Sequence, residues 1–328
     1  MADLTPIFLI SLPRSGSTLL QKMLAVSPEV ATTAEPWICL PLATMLDRTA
    51  MAAEYWHVTC AYALEDLAAE LPGGEAEFRD LAAEFVMSIY RRIAEKSGAR
   101  LFLDKTPRYY FIVPFLAQAF PKAKFVFLFR HPLEVFSSIL KTWHRDRISF
   151  RLLGNYVDLM RGPHLMAAGA RLLGERALCL DYARLVEAPN AVMPELCDYL
   201  GIPFSVNMLS DYREVEMAGR MGDPTGVKSY DNVSRDSLAK WKQGISNVYR
   251  KWYAKRYVRY LGNETLQAFG LSTAQLLSEI DNTSTTMHGA LRDAVGHGHM
   301  TIWRLLNCLS VGVGKHSRKR ARPYLPYG

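Results

Sequence analysis

Four short, almost wholly apolar runs stand out along the chain: Ile7–Leu12, Leu101–Leu103, Phe125–Phe129 and Ala177–Leu180. Between them apolar residues recur at helical spacing, as Leu19, Leu20, Met23 and Leu24 do after the first run. Runs without polar alternation are buried on both faces, so the pattern predicts an α/β fold, a central parallel sheet flanked by helices. Residues from about 48 to 98, rich in Ala, Leu and Glu, predict two or three helices broken at Leu71–Gly74. In such sheets ligands bind beyond the carboxyl ends of the strands. Those ends carry Arg14-Ser15-Gly16-Ser17-Thr18, Asp104-Lys105, Arg130-His131 and Asp181-Tyr182.

The C-terminal pattern differs. Residues 1–270 read as the main domain, with a helical region at about 38–98, and the polar stretch 271–300 reads as a linker. Residues 301–328 are apolar and then basic, ending in Lys315–Arg322 "KHSRKRAR". Such a segment fits two settings alike: an anionic membrane surface, or a terminal helix docked on the domain or on a second subunit. His288, His297 and His299 lack a partner cluster and read as solvent-exposed.

Composition narrows the function classes. With 49% hydrophobic residues and mean hydropathy near zero, the 328-residue chain is globular. No stretch reaches the roughly 20 apolar residues of a membrane span. The net charge of +7 favours an anionic ligand or surface, although much of it sits in the basic tail. Five scattered cysteines without CxxC spacing read as reduced, mostly buried thiols. The N-terminal "MADLTP" has no export signal, so a cytoplasmic protein is expected. No aromatic-basic interleaving suggests nucleic acid.

The chemistry lies at the strand ends. Backbone N–H groups of Ser15 to Thr18, opening a helix, form an anion cradle. Gly16 admits close approach, Ser17 and Thr18 add hydroxyls, and Arg14 offers a planar cation. Arg130 ends the third run and Ser138 follows eight residues later, an arrangement able to grip a second phosphate. A ligand with two separated anionic ends fits better than a nucleoside triphosphate.

The ordered pair "PRSGSTLL" and "FRHPLEVFSSIL" resembles the sulfotransferases that use 3′-phosphoadenosine 5′-phosphosulfate (PAPS), over roughly residues 5 to 260. The similarity is to the branch of tyrosylprotein and bacterial small-molecule and glycan sulfotransferases. It implies that residues 14–18 hold the 5′-phosphosulfate while Arg130 and Ser138 hold the 3′-phosphate. It implies Glu35, 21 residues after Arg14, as general base, and Lys105 of "LDKTP" as the cation at the bridging oxygen. It further implies donor contacts from Tyr182, Thr225, Lys228, Ser229 and Lys240, with no metal. Cytosolic members use a His after the Lys-Thr turn, where this chain has Pro107.

The reaction implied is in-line sulfuryl transfer to a hydroxyl of a small-molecule, glycan or lipid-linked acceptor, releasing 3′,5′-ADP. Trp37, Tyr55, Trp56, Tyr109, Tyr110 and Trp143 are aromatic candidates for the acceptor pocket. Two other readings are a P-loop kinase using ATP and Mg²⁺, with Asp104 on the metal, and a non-catalytic membrane-surface protein. The kinase reading lacks a Gly-Lys-Ser/Thr signature. The oligomeric state is not legible.

Overall fold

Five strands form one parallel sheet in the order β2-β3-β1-β4-β5. They are β1 Thr5–Ser11, β2 Val30–Thr32, β3 Leu101–Asp104, β4 Lys124–Phe129 and β5 Ala177–Asp181. The computed structural model describes residues 4–45, 57–217, 238 and 240–310. Fourteen helices are present among them. These are α1 Ser17–Ala25, α2 Cys39–Ala43, α3 His57–Ala69, α4 Gly74–Ala94, α5 Val113–Ala119, α6 Pro132–Trp143 and α7 Tyr156–Met160. They continue with α8 Gly162–Leu173, α9 Tyr182–Glu187, α10 Pro189–Leu200, α11 Lys240–Gly244, α12 Val248–Gln267, α13 Thr273–Asp281 and α14 Ala290–Ser310.

The chain divides into two units that cut across the 1–270 boundary expected from sequence. The first comprises residues 1–43, 67–130 and 165–238, and the second 44–66, 131–164 and 239–328. The whole sheet lies in the first. Strand alternation sends successive side chains to opposite faces. Ile7, Leu9, Leu101, Leu103, Val126 and Leu128 pack with Leu20, Met23 and Leu24 of α1 and Leu196 of α10. The opposite face is aromatic: Phe8 meets Tyr109, Phe120 and Phe125, and Phe102 stacks on Tyr90 of α4 at 4.1 Å. Much of the 38–98 region therefore belongs to the sheet core, since α4 buries Ala83, Val86, Tyr90 and Ala94.

The strand order reverses at β1 and β4: the chain leaves β1 toward β3 and β2, and leaves β4 toward β5. That switch opens a crevice at the carboxyl ends of these two strands, where Arg14–Thr18 and Arg130 emerge. Four of the five strands follow the sequence expectation. The fifth, β2, is a three-residue edge strand.

The second unit holds a core of Leu133, Trp241, Ile245, Ala254, Tyr257, Val258, Leu261, Leu276 and Ile280. Residues 271–300, expected to be a linker, contain α13 and half of α14. Asp293, fully buried, accepts from Arg250 Nε at 2.7 Å and Asn247 Nδ2 at 2.9 Å, both at the start of α12. Gly296 passes so close to the Ile148 carbonyl that a Cβ would sit 2.1 Å from its oxygen. The polar and small residues that made this stretch look like a linker are thus its docking contacts.

His297 is half-buried and shares a 2.5 Å hydrogen bond with the Tyr249 hydroxyl, so it is not the solvent-exposed residue expected; His288 and His299 are exposed. Cys39 and Cys197 are buried free thiols, whereas Cys179 is exposed. Residues 311–328 lie outside the described residues.

Candidate active site

The β1–α1 turn is built to receive an anion. Gly16 is the N-cap of α1 with φ +86°, and no side chain among the described residues caps the helix, so its first N–H groups keep their donor capacity for a ligand. A Cβ on Gly16 would lie 2.3 Å from the Tyr182 ring, which fixes that residue as glycine. Ser15 is 1% exposed and its Oγ has no hydrogen-bond partner. A buried, orphaned hydroxyl costs free energy unless a ligand completes it, and an oxyanion in this turn would. Arg14 also takes a left-handed conformation, φ 66°.

Arg130 joins this turn. Its Nη1 donates to the Arg14 carbonyl at 2.8 Å, and its guanidinium lies 4.3 Å over the Tyr182 ring. Residues 14–18, Arg130 and Tyr182 therefore form one cluster. Ser138 lies on the second turn of α6, and Lys240 is exposed at the start of α11, both in the second unit. Thr225, Lys228 and Ser229 lie outside the described residues.

At the end of β3, Lys105 Nζ donates to Glu35 Oε1 at 2.6 Å. Lys105 is buried and the Glu35 side chain nearly so, at 2% and 9% exposure. Lys105 thus pairs with Glu35 and not with its neighbour Asp104, because adjacent residues leave a strand on opposite sides. Asp104 follows Phe102 onto the aromatic face. There it accepts hydrogen bonds from the hydroxyls of Tyr90, Tyr109 and Thr106. Burial pushes its pKa up, against the pull of those donors and of Lys105. Fully enclosed by hydroxyls, it is not placed to ligate magnesium, which takes away the kinase reading's metal ligand. The same environment pushes the Cys39 thiol up to about 12, through burial and the Asp104 charge.

Two contacts that sequence reasoning missed position Glu35. Trp37 takes a left-handed turn, φ 57°; its backbone N–H donates to Thr106 Oγ1 at 3.1 Å and its indole Nε1 to Glu35 Oε2 at 3.1 Å. On the other side, Gln21 Nε2 of α1 donates to Thr32 Oγ1, the Thr33 carbonyl and the Ala34 carbonyl at 2.8, 2.7 and 3.2 Å. A buried glutamine on an apolar helix face was the available signal for the second contact. The first depends on a turn that only tertiary structure specifies. Of the acceptor candidates, Tyr109 and Tyr110 are core residues, Trp143 is exposed, and Tyr55 and Trp56 lie outside the described residues.

Residues 6–206 match the model of the Sulfotransferase family. The chain belongs to the sulfotransferase family. Among relatives, nodulation protein NoeE of Sinorhizobium fredii is 28% identical over 61% of this chain and 51% of its own length. Protein-tyrosine sulfotransferase 1 of Danio rerio is 25% identical over 73% of the chain and 66% of its own. The chain thus spans about half the length of the first relative and just under two thirds of the second. A solved sulfotransferase domain from the curacin biosynthetic pathway superposes with TM-score 0.55 at 25% identity, covering 81% of this chain and 96% of that one. The parallel α/β architecture is that of sulfotransferases.

Proposed function

We propose that this sulfotransferase moves a sulfuryl group from PAPS to a hydroxyl of a small-molecule, glycan or lipid-linked acceptor, with Glu35 as general base. The observation that carries the reading is the buried Lys105–Glu35 pair, tied through Gln21 to the helix whose N-terminus is the anion turn. The donor supplies the sulfuryl group and departs as 3′,5′-ADP.

The chain's own residues divide the remaining work. The N–H groups of residues 15–18, the Ser15 hydroxyl and Arg14 bind the phosphosulfate end; Arg130 and Ser138 take the 3′-phosphate. Lys105 holds Oε1 of Glu35 in the resting site and transfers that hydrogen bond to the bridging oxygen as negative charge builds there. Oε1 is then released to accept the acceptor's proton, while Trp37 keeps Oε2 in place. Tyr182 backs the turn. Thr225, Lys228, Ser229 and Lys240 complete the donor contacts by family resemblance.

Thermal-shift titration tests the donor assignment. 3′,5′-ADP is expected to raise the melting temperature, and ATP with Mg²⁺ to raise it less. A larger shift from ATP with Mg²⁺ refutes the reading. A labelled-donor screen across lipid and glycan extracts then identifies the acceptor.

A further inference from the structure

The outer face of α14 carries a row of apolar side chains that nothing in the described structure covers. Leu291, Val295, Ile302, Leu305 and Leu306 are 48% to 78% exposed. At 3.6 residues per turn these five fall within an arc of about 100°. Asp293 and Met300, the buried residues that dock the helix, fall on the opposite side. The helix therefore uses one face for the protein and presents the other.

Charge indicates what the outer face meets. The last 35 residues contain Arg304, Lys315, Arg318, Lys319, Arg320 and Arg322 and no acidic residue, so they account for nearly all of the +7 net charge. The remaining 293 residues are close to neutral. The apolar row runs directly into this cationic stretch in sequence. An apolar helix face followed by clustered Arg and Lys matches the boundary of an anionic bilayer, where side chains enter the acyl region and cations meet headgroup phosphates. No described helix is long and apolar enough to cross a membrane.

We propose that the outer face of α14 is a peripheral docking surface for an anionic lipid bilayer, with the helix lying in the interface plane and the cationic sequence after it adding attraction to the headgroups. This does not depend on the sulfotransfer reading, because its residues are separate from the anion turn and Glu35.

Vesicle co-sedimentation of the full chain tests it, using phosphatidylcholine vesicles with and without phosphatidylglycerol. The chain is expected to pellet with the anionic vesicles and stay in solution with the neutral ones, and high salt is expected to release it. The double variant Ile302→Glu with Leu305→Glu is expected to lower the bound fraction at least about tenfold. Both positions are exposed, so circular dichroism and the melting temperature should remain those of wild type. Removing residues 311–328 is expected to weaken binding and flatten its salt dependence. Equal pelleting of the double variant overturns the proposal, as does no pelleting of wild type. So does a dimer, seen by light scattering, that the same variant dissociates; the row would then pair two copies. An unchanged salt dependence after removal of 311–328 overturns the role of the basic segment.

Discussion

Two buried ion pairs of nearly equal length sit in the two units: Lys105–Glu35 at 2.6 Å and Arg250–Asp293 at 2.7 Å. Their surroundings differ. Asp293 accepts from Arg250, Asn247 and the Ile148 N–H, and Arg250 also donates to Asp146 and to the Gly244 carbonyl. The guanidinium fork is spent on fixed partners, which is how buried charge becomes structural cement. Among the described residues, Lys105 uses one of its three donors, on Glu35, and Glu35 receives only Lys105 and the Trp37 indole. A buried pair with unused hydrogen-bonding capacity is one that a substrate can complete. Pair length and burial do not separate the two; saturation does.

The comparison breaks most visibly through chemistry. Glu35→Gln is expected to lower kcat roughly 10²- to 10⁴-fold. Binding of 3′,5′-ADP, followed by calorimetry, should stay within a few-fold. Near wild-type turnover would place the base elsewhere. Next in size, Arg250→Ala should cost about 3 kcal/mol in urea unfolding, by removing the buried partner of Asp293 and leaving it only the longer, more exposed contact to Arg292. The kcat of the folded fraction should be unchanged; a parallel loss of kcat would erase the distinction between the pairs.

A finer probe is Trp37→Phe, which keeps the ring and removes the indole donor. Losing a hydrogen bond to a charged group, about 1.5–3 kcal/mol, should read as a ten- to hundred-fold fall in kcat with the donor's KM preserved. A rise in KM alone would make Trp37 a wall of the pocket.

The smallest effect is on acid stability. Burial raises the Asp293 pKa, but its hydrogen bonds and Arg250 outweigh this and hold it below the usual 3.8. A lowered folded-state pKa adds stability above the ordinary carboxyl range, and that stability is lost as pH falls through the folded value. Below about pH 4 the wild type should therefore lose stability more steeply than Asp293→Asn, by up to about 1.4 kcal/mol per pH unit. Identical slopes in acid denaturation curves would remove Asp293 from that role.

What the chain discloses on reading follows the range of the interactions. Runs such as Phe125–Phe129, buried on both faces, announce their strands because burial on two sides leaves no room for polar residues. Val30–Thr32 does not, since a three-residue edge strand has almost no periodicity to show. The anion turn is legible because local geometry shapes it, whereas Lys105 stands out only through the resemblance of its Lys-Thr turn. The anchors of the Glu35 turn are not legible, because Gln21 reaches Thr32 across 11 residues and Trp37 reaches Thr106 across 69. In α14, Gly296 and Asp293 resemble linker residues until the Ile148 backbone and Arg250 are placed against them. Unit boundaries were equally hidden, since each unit gathers three separate stretches.

Two positions of α1 serve different partners: Gly16 opens the anion turn, and Gln21, little more than one turn later, holds the Thr33 and Ala34 carbonyls just before Glu35. One strut of about 7.5 Å therefore gauges the spacing between the anion turn and the segment that carries Glu35. Among the described acceptor candidates, Trp37 alone bonds to Glu35. On the proposed roles, the remaining candidates are then at liberty to diverge while the transfer distance stays calibrated.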